Sequence, residues 1–200
     1  MSLLRTSDKF FWHKYVDFYE AFFENKNFKT IAEIGIFKGN SIRWLLERFP
    51  SAYVYGADIL PMQPEWPIDN RFSFTQLDQG NVVDLRKFLN QEKFDLIIED
   101  GSHIPAHQAL CLIEGIKVLS PNGMYILEDI HTSHPGYALR KSSIFSKISS
   151  KYKFKGNALT VLLAIEHYKK IGVDISFIEA EMIARDAIIS AADILLLGKR

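Results

Sequence analysis

Five short apolar runs, TIAEIGI, AYVYGADI, RFSFTQLD, FDLIIED and MYILEDI, recur between Thr30 and Ile130. Amphipathic stretches separate most of them, the pattern of βα units feeding a mostly parallel sheet. Helices are expected over Asn40–Arg48, over VVDLRKFLNQ and from Pro105 to Val118, with Asn122-Gly123 turning the chain into the fifth strand. Two later runs, ISFIEA and DILLLG, bring the expected strand count to seven, with one more helix from Ala158 to Lys170. The spacing therefore predicts an α/β fold: a Rossmann-like, seven-stranded, mostly parallel sheet with helices on both faces. Ahead of the first strand, FFWHKYVDFYEAFF reads as an aromatic-rich helix within an N-terminal cap, residues 1–28. No repeat or domain boundary interrupts the pattern, and 200 residues suit a single domain with a substantial core.

Charge narrows the function classes. Lys+Arg and Asp+Glu number 24 each, so no global field favours nucleic acid as a partner. The balance is uneven in one place. Between Ile130 and Ile165 there is no acid, whereas Arg140, Lys141, Lys147, Lys151, Lys153 and Lys155 are all cationic. Residues 130–157 read first as a solvated loop-helix face, or else as a basic lid that would suit an anionic acceptor. The single cysteine, Cys111, lies in an apolar run and reads as a buried thiol, which leaves no disulfide framework or cysteine metal site. No apolar run reaches the ~18 residues of a membrane span. The first residues lack the apolar core of a signal peptide, so a cytoplasmic location is expected.

In an open α/β sheet, ligands bind outside the carboxyl ends of the strands. Those ends read Glu33-Ile-Gly35 with Gly39, then Asp58, Asp78-Gln79, Asp100-Gly-Ser-His103 and Glu128-Asp129, and every one carries an acid. Gly35 and Gly39 bracket a tight turn, either purely structural or a place of close ligand approach. Phe37 stands where a dinucleotide fold has its middle glycine. Asp58 follows Gly39 by 19 residues, the place for a carboxylate that accepts the ribose hydroxyls of an adenosine cofactor.

Asp100 and the Glu128-Asp129 pair are 28 residues apart, the length of one βαβ unit. On neighbouring strands their carboxylates converge and repel unless protonated or neutralised by a cation. Oxygen ligands favour a hard ion, Mg²⁺ first, with Mn²⁺ or Ca²⁺ next. His103 sits in the loop before Pro105, where it can face the same cleft as a general base. Pro105 keeps His103 out of the helix, so His103 and His107 do not make a zinc pair, and His107 is assigned a supporting role. His131 and His134 would line the substrate side. Tyr15 and Tyr19, one helical turn apart, either pack the first helix or cap the cofactor or acceptor.

Together EIGIFKGNS, the acid of YGADI, LDQGN, EDGSHIPAHQ and LEDIHTSHP resemble the class I S-adenosylmethionine-dependent methyltransferases. More narrowly the chain resembles the metal-dependent sugar O-methyltransferases typified by macrolide-sugar enzymes, over Lys14 to Thr132 or about 60% of its length. The resemblance implies S-adenosylmethionine (SAM) at Glu33, Gly35, Gly39, Ser41, Asp58, Asp78 and Gln79, with Asp100 facing both cofactor and metal. It implies Mg²⁺ or Mn²⁺ at Asp100, Glu128 and Asp129, and His103 as the base. Glu99 departs from the pattern, standing where an Asp-Asp pair is usual. The implied partner is a small-molecule or glycan acceptor, nucleotide-linked or phosphorylated if the basic lid takes part, and a homo-oligomer is compatible. Three competing readings stay open: a catechol-like O-methyltransferase, an NAD-dependent oxidoreductase, and a non-catalytic nucleotide-binding module.

Overall fold

The computed structural model describes Tyr15 to Asp129. The elements run α1 (Tyr15–Phe23), β1 (Thr30–Ile34), α2 (Asn40–Arg48), β2 (Tyr53–Asp58), β3 (Phe72–Gln76), α3 (Val82–Leu89), β4 (Phe94–Glu99), α4 (Pro105–Ile116) and β5 (Leu119–Leu127). The strands form one sheet in the order β3-β2-β1-β4-β5, and all four pairings are parallel. The chain winds outward from β1 in one direction and then restarts on its other side at β4. The switch point therefore lies between β1 and β4.

Alternation along the strands sends side chains to two cores. On one face Ile31, Val54, Leu96 and Ile98 pack with Tyr19 and Phe23 of α1 and with Ile42, Trp44 and Leu45 of α2. On the other, Ala32, Ile34, Ala57 and Ile97 pack with Leu85, Phe88 and Leu89 of α3 and Cys111 of α4. Helices thus cover both faces, as the spacing predicts, and Cys111 is a buried free thiol. A half-exposed Arg86 on α3 reaches Glu114 on α4 with two hydrogen bonds, 3.0 and 2.8 Å, and ties the two helices together.

Two helix starts have a plain local cause. Asn81 accepts a hydrogen bond from the Val83 amide at 3.1 Å and caps α3. Pro105 opens α4, where its missing N–H costs nothing. The fifth strand differs from its expected bounds: it begins at Leu119, ahead of Asn122-Gly123. Between Phe94↔Leu119 and Leu96↔Met124 the register shifts, so extra β5 residues are accommodated as an irregularity around Asn122, which has φ 65°. The turn signal marks an irregularity inside the strand.

Five of the seven expected strands are present among the described residues. The runs ISFIEA and DILLLG, the Ala158–Lys170 helix, the basic segment, His131, His134 and the start of the aromatic helix lie outside them. No described helix is long and apolar enough to cross a membrane.

Candidate active site

The sheet's hydrogen-bond ladder continues to the residues that carry the acids. Gly35 N–H donates to Ala57 at 2.7 Å, Asp100 N–H to Ile34 at 2.8 Å, Leu77 N–H to Asp58 at 2.9 Å and Glu128 N–H to Glu99 at 2.9 Å. The strand exits are therefore locked side by side. Beyond the switch point opens a cleft of about 540 Å³, walled by Gly35, Phe37, Asp58, Asp78, Gln79, Asp100, Ser102 and His107 among others.

Gly35 makes this closeness possible. It has φ 93°, and a Cβ there would fall 2.1 Å from the Asp100 carbonyl oxygen. Gly39 serves a different end: at φ 73° it precedes α2, and a Cβ would press on Trp66 at 3.0 Å. Trp66 in turn donates its indole N–H to the Phe37 carbonyl at 2.8 Å, which clamps the loop. Gly39, Glu33 and Ser41 are not among the residues walling the cleft. Glu33 is buried in β1 on the α1–α2 face, and Ser41 is buried in the first turn of α2.

Asp58 walls the cleft, and its carboxylate already organises the loops around it. Oδ2 accepts from the Ile36 and Phe37 amides at 2.8 and 3.1 Å, and Oδ1 accepts from the Leu60 amide at 2.9 Å. Exposed Phe37, Ile59 and Leu60 make an apolar rim on this side. Asp78 accepts from the Gly80 amide at 2.8 Å and faces the cleft.

Gln79 spends its side-chain amide on the protein. Its Nε2 donates to Glu99 at 2.9 Å and contacts Cys111 Sγ at 3.6 Å, while its Oε1 accepts from the Ser102 amide at 2.7 Å. Gly101 N–H donates to the same Glu99 carboxyl at 3.2 Å, and a Cβ on Gly101 would lie 1.8 Å from Gln79 Oε1. The glycine of DGSH is thus required by Gln79. Burial pushes the Glu99 carboxyl up to about 7, against the opposing effect of the hydrogen bonds from Gln79 and Gly101. The acid that departs from the family pattern sits inside the protein, bracing the loop. His107 shares a hydrogen bond of 3.0 Å with Ser102, and burial lowers its pKa despite the Asp78 charge.

At the other end of the cleft, Asp100, His103 and Asp129 converge, with one ligand atom from each within 4.8 Å of the others. His103 Nε2 stands 3.4 Å from Asp129 Oδ2 and 3.8 Å from Asp100 Oδ1. Both His103 and Asp129 have φ 53°, a left-handed backbone unusual outside glycine and often found where function demands it. Glu128, the third expected cation ligand, is buried and turned toward α1, where it accepts a hydrogen bond from the Tyr19 hydroxyl. Burial foremost, and then Glu128, push the Tyr19 hydroxyl far above its usual range, so it stays a neutral donor. Tyr19 packs on the core as one of its two expected roles had it. Its contact with Glu128 has no signal in the sequence, because 109 residues separate the two.

The profile of the FtsJ-like methyltransferase family matches residues 12–150. The chain belongs to this family. Among its relatives, the 8-demethyl-8-alpha-L-rhamnosyl tetracenomycin-C 2'-O-methyltransferase of Streptomyces olivaceus is 31% identical over 144 residues, 67% of this chain and 38% of that protein. The mycinamicin VI 2''-O-methyltransferase of Micromonospora griseorubida is 29% identical over 138 residues, 64% of this chain and 34% of its own. A solved structure of the MycE methyltransferase from the mycinamycin pathway, in complex with Mg, SAH and mycinamycin VI, has the same fold. It matches with a TM-score of 0.62 at 26% identity, over 84% of this chain and 49% of that one. The chain spans less than half the length of these relatives.

Proposed function

We propose that the protein is a SAM- and divalent-metal-dependent O-methyltransferase that acts on a sugar hydroxyl. The observation that carries this reading is the meeting of two unlike halves at one switch point. A cleft with an apolar rim and the Asp58 and Asp78 carboxylates adjoins the Asp100–His103–Asp129 cluster. An adenosine needs the first half: a flat apolar wall for the base and carboxylates for the hydroxyls. The second half suits a hard cation, since its carboxylates lie close enough to repel one another. Relatives named as 2'-O- and 2''-O-methyltransferases of glycosylated natural products favour a sugar acceptor.

Asp100 and Asp129, with Glu128 beside them, are the residues proposed to hold the cation. Once bound, a divalent cation lowers the cost of deprotonating a hydroxyl that it contacts. SAM supplies the methyl group. His103 takes the proton from the acceptor hydroxyl, imidazole being the side chain best suited to that task near neutral pH. Asp129, at 3.4 Å, orients the imidazole. The braced loop holds His103 and Asp100 in fixed relation, and the cleft walls align the reacting groups. Gly35, Asp58 and Asp78 are proposed to receive the cofactor. Gln79, Gly39, Ser41 and Glu33 support it through the loops and strand that carry the cleft. An anionic acceptor is the finer proposal, supported by the six cations from Arg140 to Lys155.

Calorimetric titration with SAM, S-adenosylhomocysteine (SAH) and NAD, each with and without Mg²⁺, tests the reading. SAM and SAH are expected to bind and NAD is not. Tight NAD binding without SAM binding would replace the assignment with an oxidoreductase.

A further inference from the structure

We propose that Tyr19 is a positioning residue for the acidic end of the site: its buried hydroxyl sets the orientation in which Glu128 meets a divalent cation. This rests on the reading of Asp100, Glu128 and Asp129 as cation ligands. The main chain of Glu128 is fixed from two sides, its N–H donating to Glu99 of β4 and its carbonyl accepting from Gln108 Nε2 of α4 at 2.9 Å. What remains to be set is the side chain, and the Tyr19 hydroxyl donates to its Oε1. A hydroxyl donor fixes the plane of a carboxylate while using one of about four lone-pair sites.

Tyr19 cannot itself swing. Its ring stacks on Phe23 at 5.4 Å and on Trp44 at 5.8 Å, within the apolar core under α1 and α2. Glu33 and Asp100 also act on the same hydroxyl. Packing alone does not explain a phenol here. A buried hydroxyl and carboxylate cost desolvation that a phenylalanine facing an apolar residue would avoid. The polar pair makes sense if Glu128 must stay aimed. Through it, α1 is joined to a site otherwise built from the exits of β4 and β5.

The test is Mn²⁺ titration of the full 200-residue chain, with SAH titration and thermal denaturation in parallel. Tyr19→Phe keeps the ring and is expected to weaken Mn²⁺ binding by about 10- to 100-fold, as loss of an outer partner of a metal ligand does. SAH affinity should not change. Phe49→Leu loosens the same core through Phe23 and Phe28, and is expected to lower the melting temperature while sparing Mn²⁺ affinity. Should Tyr19→Phe fail to fold, Trp44→Phe frees the Tyr19 ring and is expected to weaken Mn²⁺ to a smaller degree. Unchanged Mn²⁺ affinity in Tyr19→Phe, or in Trp44→Phe if only that variant folds, overturns the inference, as does an equal loss in Phe49→Leu. Absence of Mn²⁺ binding by the unsubstituted chain, with SAH still bound, overturns the cation reading itself.

Discussion

The exits of β2 and β4 both end in an aspartate, yet they are built in opposite ways. Around Asp58 the carboxylate is satisfied by three backbone N–H groups, and the loops on either side wrap onto it. Around Asp100 the side chains face other side chains at 3.4 to 3.8 Å, with two non-glycine residues in left-handed backbone. The first is a finished wall. The second is a set of charged groups held together by surrounding structure, the Gln79–Glu99 brace and the Tyr19 hydroxyl. Binding and chemistry are thereby divided between two strand exits, and substitutions on the two sides should fail differently.

The largest effect is expected at His103. His103→Ala should lower kcat by about 10²- to 10⁴-fold, the usual contribution of a general base. SAH affinity measured by calorimetry should be unaffected. A variant that keeps its kcat would remove the chemistry from the β4 side altogether.

Next comes the brace. Gly101→Ala forces a Cβ to 1.8 Å from Gln79 Oε1, so both loop and amide must shift. A destabilisation of about 1–3 kcal/mol is expected from overpacking of this kind. Gln79→Ala in the same chain removes the clashing atom, so the double variant should be more stable than the sum of the singles. Additive losses in denaturant unfolding would show that the two residues do not press on each other.

Asp58→Ala sharpens the contrast from the other side. It leaves three N–H groups without their acceptor and should cost about 2 kcal/mol. At this chain length that is a fall of about 4–8 °C in melting temperature. SAH affinity should fall with it, whereas Mn²⁺ affinity should not. A drop in Mn²⁺ affinity alone would contradict the division.

The smallest effect lies away from the site. Burial works against the Glu114 carboxylate, but Arg86 and Lys117 outweigh it and hold its pKa below the usual value. A depressed carboxyl stabilises the fold above its unfolded pKa, and that contribution is lost as pH falls through the folded value. Arg86→Ala should therefore cost about 1 kcal/mol near neutral pH and progressively less in acid. A difference that persists unchanged at low pH would assign the loss to packing.

Much of this architecture was legible in the order of residues. The four strands and three helices from Thr30 to Ile116 fall within a residue or two of where periodicity puts them, because each buries one face and so repeats at 2 or 3.6. DGSH was legible as a site because an acid, a glycine and a histidine directly follow a strand. The fifth strand was less so: a turn dipeptide looks the same whether it starts a strand or lies within one. The brace is not legible in the sequence: Gln79 reads as a cofactor contact, and nothing in LDQGN tells that its amide ties Glu99 to Ser102. Glu99 read as a neighbour of Asp100, yet alternation sends it to the opposite face, into the protein beside Cys111.

The sequence by itself determined that this chain makes parallel βα units and that an acid stands at or near the end of each of the first five strands. Those are local properties, set by the spacing of apolar residues and by the turn that follows each run. Only the tertiary structure decided that β4 lies beside β1 and β5, that Gln79 reaches across to Ser102, and that Tyr19 meets Glu128. Such contacts join residues up to 109 positions apart. They depend on which strands neighbour one another and on which side chains the packed cores leave in reach, and no local spacing encodes either.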